Sequence, residues 1–289
     1  MNRFDKGVVW FLLIAFGVAW ISWEIPIQMG VAVTGWKFQL FGLVGAFAPA
    51  ISALVVRKWI TREGFADAGL GLRLRTGWPY YLAGWFLPLA VVGVIVVEAM
   101  AFGIAQPNFS LSRAADAAAR PMAGAAGLGL LVVPQVLVTA LLATPVFWGE
   151  EFGWRGYLQR RLFADRPALA AVATGLIWGV WHWPLTLRGY NTPDHPVLGS
   201  LLLLVLAVLL SIIFGWLRER SGSIWAASLG HAATNIVGGL ALMLFAGAVS
   251  PTVASYGGVL VLPPLAAVCA WILLTGRLKP ALREAPAPA

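Results

Sequence analysis

Charged residues are scarce in this sequence. Only 11% of its 289 residues are Asp, Glu, Lys or Arg, whereas 60% are hydrophobic, and the mean hydropathy is +0.82. Soluble domains carry about 25% charged residues, so the composition excludes an ordinary soluble fold. The apolar runs are long and continuous rather than alternating with a period of two, which argues against a membrane β-barrel. We therefore predict an all-α, polytopic membrane bundle that forms a single integral-membrane domain over residues 1–289.

Cysteine and several catalytic motifs are also lacking. The single cysteine, Cys269, permits no internal disulfide, so the redox compartment cannot be inferred from it. The sequence contains no HExxH and no GxSxG, and Cys269 is distant from every histidine along the chain. The strong local signature for zinc is therefore absent, and a serine or cysteine nucleophile has little support. No small-x-small cleavage site follows the first apolar run, which we interpret as a retained span.

Apolar segments long enough to cross a hydrocarbon core of about 30 Å occur throughout the chain. We predict eight spans, at residues 7–23, 36–56, 78–104, 125–149, 167–184, 197–216, 223–247 and 254–275. The fifth span is short for a full crossing, and it contains His182.

Basic residues are distributed unevenly between the two sides that eight spans would define. Of the 20 lysines and arginines, sixteen fall on the side of the chain termini, and the four on the other side are Lys37, Arg113, Arg120 and Arg188. Cytoplasmic loops carry such an excess, so we predict that both termini are cytoplasmic. The net charge of +8 is explained by this topology without nucleic acid as a partner. Because the high content of Ala, Gly, Leu and Arg is typical of a GC-rich bacterial genome, we expect the bacterial inner membrane.

Ionisable side chains inside the predicted spans are few: Glu98, Glu150, Glu151, His182 and His231, with Arg155 just beyond. A charged side chain at the bilayer centre costs about 2.5–3.5 kcal/mol on insertion scales, so each of these residues is a candidate functional residue. Glu98 belongs to no motif, and for it we favour a structural hydrogen bond over catalysis.

Three helices are predicted to place their polar side chains at similar depth. At 1.5 Å per residue, Glu150 lies about 15 Å, His182 about 22 Å and His231 about 13 Å from the nearest cytoplasmic turn. We therefore expect one common site, open to the cytoplasmic half of the bilayer.

The spacing of these residues along each helix indicates how they pair. Glu151 and Arg155 are four residues apart with the acid first, the favourable order for an ion pair. Glu150 points about 100° away and is free to face a cavity. His231 and Asn235, in GHAATN, share a second helix face.

Two carboxylates, two imidazoles and a carboxamide are the groups that amide hydrolysis requires. A glutamate beside a neutral histidine can hold and deprotonate a water molecule, while a second histidine and an asparagine can donate hydrogen bonds to an oxyanion. Zinc or another divalent metal is an alternative, with Glu150, His182 and His231 as its ligands and an open position for water. The residues alone leave both chemistries open.

The ordered set EEFGWR (150–155), WGVWH (178–182) and HAATN (231–235) resembles the CPBP family. This family comprises CAAX proteases and bacteriocin-processing enzymes related to the prenyl-protein endoproteases. The resemblance covers about 148–240, which we take as the catalytic core. Members commonly carry phenylalanine at the position of Trp178, so the shape of the pocket is expected to differ here.

The resemblance implies an intramembrane endopeptidase of glutamic or metallo type. Glu150 would be the general base, aided by His182, and His231 and Asn235 would stabilise the oxyanion. Glu151 and Arg155 complete the first motif. The implied partners are the lipid bilayer and a peptide or protein substrate, membrane-associated or lipidated.

Two other functions also use buried polar residues. A proton-coupled transporter would use Glu and His in a proton relay, although no repeat relates the two halves of the chain. A non-enzymatic scaffold or immunity protein would bind a partner instead. Each polar pair also has a structural interpretation as an ion-pair network, a helix-end histidine or a hydrogen bond between helices.

Overall fold

The computed structural model describes residues 6–33, 35–109 and 132–279. Every regular element in these ranges is helical, apart from one isolated bridge between Pro107 and Phe245, which confirms the all-α prediction. The longer helices are α1 (Lys6–Gln28), α2 (Trp36–Val55), α3 (Leu74–Ala101), α4 (Val133–Gly153), α5 (Pro167–Trp181), α7 (Pro196–Ser221), α8 (Ile224–Gly238) and α11 (Leu262–Leu274). The short helices are α6 (Trp183–Thr186), α9 (Leu240–Met243) and α10 (Pro251–Ala254).

Seven helical segments in the described ranges are long and apolar enough to cross a membrane. They are Lys6–Gln28, Trp36–Ile60, Leu74–Ala101, Val133–Leu158, Pro196–Ser221, Ile224–Met243 and Pro251–Leu274. The predicted span 167–184 is instead the 15-residue helix α5. It ends where Pro184 enters the chain, because proline has no backbone N–H to continue the helix. The count of eight and the cytoplasmic termini remain predictions, and residues 1–5, 125–131 and 280–289 lie outside the described ranges.

Helix α8 lies at the centre of the bundle, against α3, α4 and α7, while α5 packs on α7 and α2 packs on α4. Glycines permit the closest of these approaches. A Cβ on Gly175 of α5 would lie 2.5 Å from the Cα atom of Val208 on α7. A Cβ on Gly153 of α4 would lie 2.6 Å from the carbonyl oxygen of Pro49 on α2. The small residues thus bring α5 close to α7 and α4 close to α2.

The two ends of the bundle differ in charge. At one end, ion pairs join the loop after α4 to the loop after α2 (Arg161–Glu63 at 2.6 Å) and to the end of α7 (Arg160–Glu219 at 3.2 Å). A further pair, Arg57–Asp67 at 2.8 Å, lies within the loop after α2. We call this the basic end, formed by residues 56–75, 154–166 and 218–224. The opposite end, formed by residues 182–196 and 239–258, we call the far end. The basic loops therefore meet at one end, as the charge pattern predicted.

Candidate active site

The two adjacent glutamates lie in the last turn of α4, which continues as the π-helical turn Trp154–Leu158. Such π turns occur often at functional sites. The Nη1 atom of Arg155 donates to Oε1 of Glu151 at 2.7 Å, and both side chains are completely buried. The ion pair predicted from the spacing is therefore present, and it spans the junction between the α-helical and π-helical turns.

His231 of α8 binds the same carboxylate oxygen. Its Nδ1 atom lies 2.9 Å from Oε1 of Glu151. An ionised carboxylate only accepts hydrogen bonds, so Nδ1 of His231 carries a proton and Nε2 is the atom left for a ligand. The imidazole is packed among the rings of Phe147, Trp178 and Phe214, with centroid distances of 4.7, 5.1 and 5.3 Å. This packing holds the ring in one orientation.

Glu150 is held by a tryptophan of α5. The indole Nε1 of Trp178 donates to Oε2 of Glu150 at 2.7 Å, and Glu150 is only 6% exposed. The guanidinium carbon of Arg155 lies 4.6 Å from the centroid of the same indole ring. Trp178 therefore contacts both the glutamate and the arginine of the first motif. A phenylalanine at this position could not donate the hydrogen bond.

His182 terminates α5, one turn after Trp178. Its Nδ1 atom lies 2.9 Å from the carbonyl oxygen of Trp178. Because a carbonyl only accepts, Nδ1 carries the proton, and in the neutral imidazole Nε2 holds a lone pair. The bond to the helix end agrees with the structural interpretation, and the imidazole also packs against the rings of Trp178 and Trp181, with centroid distances of 5.5 and 4.8 Å. Nδ1 of His182 is thus hydrogen-bonded to the helix end, and Nε2 is the nitrogen that can take part in chemistry.

Asn235 lies one turn after His231 on α8. Its Nδ2 atom donates to the carbonyl oxygen of His231 at 3.2 Å, which uses one of the two amide hydrogens. The side chain is exposed, and the exposed part lies in a cavity.

A cavity of about 310 Å³ adjoins this cluster. His182, His231, Asn235 and Trp178 line it, whereas Glu150 lies behind Trp178 and is not part of the wall. The structure therefore gathers all six predicted residues, three of them in the cavity wall and three in the buried layer behind it.

The cavity wall also contains residues that sequence reasoning missed. They are Tyr190, Asn191, Leu203, Leu206, Ala207, Leu210, Thr234, Gly238, Gly239, Leu242, Ser255, Tyr256 and Gly257. Most are apolar or come from loops without a motif, so no local signal could have identified them.

Two other ionisable residues lie apart from the cluster. Glu98 on α3 was expected to make a structural hydrogen bond, but its Oε2 is buried without a partner among the described residues. His195 precedes α7 at the far end and is exposed, as expected for a loop residue.

The predicted metal ligands do not form a metal site in this arrangement. Across residues 6–33, 35–109 and 132–279, no three His, Cys, Asp or Glu side chains converge so as to hold an ion. We therefore derive no step through a metal, and metal dependence remains a question for chelation.

Comparison with known families gives one match. Residues 129–237 match the family model described as Type II CAAX prenyl endopeptidase Rce1-like. The match includes α4, α5, α7 and almost all of α8, and it confirms the resemblance inferred from the three motifs. It indicates a peptidase. No curated protein sequence matches the chain.

Proposed function

We propose that this chain, an integral membrane protein of the CAAX protease family, hydrolyses a peptide bond by means of a water molecule that Glu150 activates. The observation that carries the proposal is the meeting of the three motifs. Glu150 of α4, His182 at the end of α5 and His231 of α8 all contact Trp178 through a hydrogen bond or a ring contact. Residues separated by more than 80 positions in the sequence thus form one polar cluster beside a cavity.

Glu150 is the general base in this mechanism. Its Oε2 accepts from the indole of Trp178, which leaves Oε1 to accept a proton from water. The lone pair on Nε2 of neutral His182 accepts the second hydrogen of the same water and orients it. General bases of this kind accelerate reactions by about 10²–10⁴-fold.

The oxyanion formed by attack on the peptide carbonyl requires hydrogen-bond donors. Asn235 supplies its second amide hydrogen. Nε2 of His231 can donate only when the ring is doubly protonated, because Nδ1 already donates to Glu151. The doubly protonated ring is therefore the form in which His231 acts as the second donor.

Glu150 both accepts and returns the proton in this reaction. The water oxygen bonds to the carbonyl carbon while its proton passes to Glu150. When the tetrahedral intermediate collapses, the C–N bond breaks and Glu150 returns that proton to the leaving amine. Glu151 and Arg155 act through His231, because Arg155 donates to the same Oε1 of Glu151 that binds Nδ1 of His231.

The substrate we propose is a membrane-associated or lipidated peptide, and the location is the bacterial inner membrane. The leucines in the cavity wall support an apolar substrate. The family match supports a peptide or protein substrate in a lipid environment.

The test is cleavage of peptides by purified protein in detergent. We expect Glu150→Gln to lose activity by about 10²–10⁴-fold while its melting temperature stays close to that of the wild type. Glu98→Gln, the same change at a carboxylate of α3 outside the cluster, is the matched control and should retain activity. A Glu150→Gln protein that cleaves at the normal rate would refute the proposal.

Chelation separates the two catalytic types in the same assay. Full activity in the wild type after chelation, together with loss in Glu150→Gln, supports base catalysis without metal. Loss of wild-type activity on chelation, restored by added Zn²⁺, supports the metallo-endopeptidase alternative.

A further inference from the structure

We propose that a groove at the basic end of the bundle binds an anionic phospholipid, with the phosphate between Arg166 and Lys279 and an acyl chain along the end of α11. This groove is separate from the polar cluster, and no catalytic motif contributes to it. The proposal goes beyond the peptidase function and does not depend on it.

The groove lies between the start of α5 and the end of α11. It consists of two cavities, of about 410 and 200 Å³, which adjoin because Pro167, Leu278 and Lys279 line both of them. Helices α5 and α11 each pack against α7, and Glu219 near the end of α7 lines the larger cavity. The groove is therefore a space between two helix ends beside a third helix. Basic pockets of this kind between membrane helices bind lipid headgroups.

The smaller cavity is lined by positive charge alone. Its charged lining residues are Arg166, just before α5, and Lys279, after α11, and both are exposed. Within the described ranges, Lys279 takes part in no ion pair. Arg166 has only the exposed carboxylate of Asp165, at 3.8 Å, and such surface pairs contribute little. Two basic side chains on opposite walls thus remain for an anion.

The larger cavity adds one further basic side chain and two acids. Glu219 already pairs with Arg160 at 3.2 Å and with Arg218 at 3.0 Å. The second acid, Asp165, is 73% exposed and lies beside Arg166. Three basic and two acidic residues line the two cavities together, which leaves a charge of +1. The acids therefore do not cancel the attraction for a negative headgroup.

Apolar surface continues from the groove along α11. Ile272, Leu273 and Leu278 line the smaller cavity together with Pro167. Leu273 is 40% exposed and the next residue, Leu274, is 87% exposed. A free phosphate ion would leave this surface uncovered, whereas the acyl chain of a phospholipid would cover it. Basic side chains beside an apolar wall therefore favour a lipid over a soluble anion.

The position of the groove agrees with this ligand. Loops rich in Lys and Arg are retained in the cytoplasm, so the basic end faces the cytoplasmic leaflet. Anionic lipids give that leaflet a negative surface, which attracts basic residues. Because α5 begins at the groove and also carries Trp178 and His182, a bound lipid stabilises a helix of the active site.

Lipid titration of the purified full-length protein in detergent tests the site. Native mass spectrometry measures the dissociation constant of the first bound phosphatidylglycerol, with phosphatidylcholine of the same acyl chains as the neutral comparison. We expect wild-type protein to bind phosphatidylglycerol about tenfold more tightly than phosphatidylcholine, and the double variant Arg166→Gln with Lys279→Gln to lose about that factor. Equal affinity of the wild type for the two lipids would overturn the proposal.

The matched control is the double variant Lys58→Gln with Arg62→Gln. It removes two exposed basic side chains from the same end of the bundle, and neither lines the groove. We expect its affinity for phosphatidylglycerol to stay within about twofold of the wild type, because these residues do not reach the headgroup. Equal weakening in the two double variants would show attraction to the charged surface as a whole and would overturn a specific site.

A third variant tests the apolar part of the groove. Ala168→Phe places a ring in the smaller cavity without changing the charge, and Ala168 is exposed, so the fold can accommodate the ring. Weaker binding of phosphatidylglycerol is expected, and an unchanged affinity would overturn the placement of the acyl chain.

Inorganic phosphate separates a lipid site from a simple anion site. Phosphatidylglycerol should raise the melting temperature of the wild type, while inorganic phosphate at the same concentration should leave it unchanged. An equal rise with both would overturn the assignment of a lipid.

Discussion

Two buried arginines, Arg57 and Arg155, each form an ion pair with a carboxylate, and the two pairs have different roles. At the basic end, Arg57 binds both oxygens of Asp67 and two backbone carbonyls, so only its Nε lacks a partner. In the polar cluster, Arg155 uses one nitrogen on Glu151, while its Nε and Nη2 and the second oxygen of Glu151 have none among the described residues. Among the described residues, one buried atom of the first pair lacks a hydrogen bond, whereas three atoms of the second pair do.

This difference indicates what each pair is for. The pair Arg57–Asp67, in which nearly every hydrogen-bonding atom has a partner and the carboxylate is partly exposed, joins loops, and its role is structural. A buried pair with unused donors and acceptors reduces stability unless function requires it, because buried polar groups are nearly always bonded. Unused hydrogen-bonding capacity beside a cavity is therefore a better marker of an active site than the ion pair itself.

The largest effect on stability is expected from replacing Arg155, the arginine of the polar cluster. Arg155→Met leaves Glu150 and Glu151 buried without a compensating cation, so we expect a loss of about 3–5 kcal/mol in the free energy of unfolding. The double variant Glu151→Gln with Arg155→Met removes both charges and should recover most of that loss. Melting temperatures in detergent give the ranking, and an unaltered melting temperature in Arg155→Met would contradict it.

The next prediction concerns the indole that joins the cluster. Trp178→Phe removes the hydrogen bond to Glu150 but keeps an aromatic ring. A hydrogen bond to a charged group contributes about 1.5–3 kcal/mol, so kcat should fall about tenfold to a hundredfold. We expect KM to change less than kcat, because the lost bond positions the base, while the ring that lines the cavity is replaced by another aromatic ring. A normal kcat in Trp178→Phe would show that Glu150 is positioned by other groups.

A smaller effect on stability is expected from changing the pair Arg57–Asp67 at the basic end. Burial alone would raise the pKa of Asp67, but the hydrogen bond and charge of Arg57, together with Arg161, hold it below its ordinary value. Asp67→Asn should therefore cost about 1 kcal/mol or less at pH 7, given that Asp67 is 37% exposed.

This contribution depends on pH in a defined direction. A lowered folded-state pKa stabilises the protein above the unfolded-state pKa of about 4, and the gain is lost as the pH falls through the folded-state value. The melting temperatures of wild type and Asp67→Asn should thus converge below pH 4. A difference that stays constant with pH would contradict the assignment.

The smallest effect on stability is expected at Asp194, which joins two loops of the far end. Burial would raise the pKa of Asp194, but its bonds with Ser250 and Thr252 lower it to about 2. Asp194→Asn should increase hydrogen exchange in 187–195 and 250–257 above pH 4, with the change vanishing near pH 2 and little shift in melting temperature. If exchange instead rises throughout the bundle, the bonds of Asp194 contribute to global stability.

The fold class and much of the site could be predicted because they depend on local sequence. The apolar runs predicted helices, and seven of them have the length and hydropathy of a span. The fifth span was predicted too long, since hydropathy alone does not register the break at Pro184. The pair Glu151–Arg155 was predicted correctly because four-residue spacing on a helix determines the contact.

Other features of the site were not predictable in this way. The sequence places Trp178 and His182 on one helix face, but the bond from Trp178 to Glu150 depends on how α5 turns against α4. The hydrogen bond expected for Glu98 is absent at its Oε2, because no polar group from a neighbouring described helix reaches it.

Composition and spacing along the chain by themselves determined that this protein is a helical membrane protein with a buried ion pair and three polar motifs of a peptidase family. These properties follow from transfer free energies and from the 3.6-residue helical period, which act over short stretches of sequence. Only the tertiary structure decided that Trp178 binds Glu150, that Glu151 is shared by Arg155 and His231, and that His182, His231 and Asn235 line one cavity. Those outcomes depend on the rotation and packing of helices distant in sequence, which no local pattern encodes.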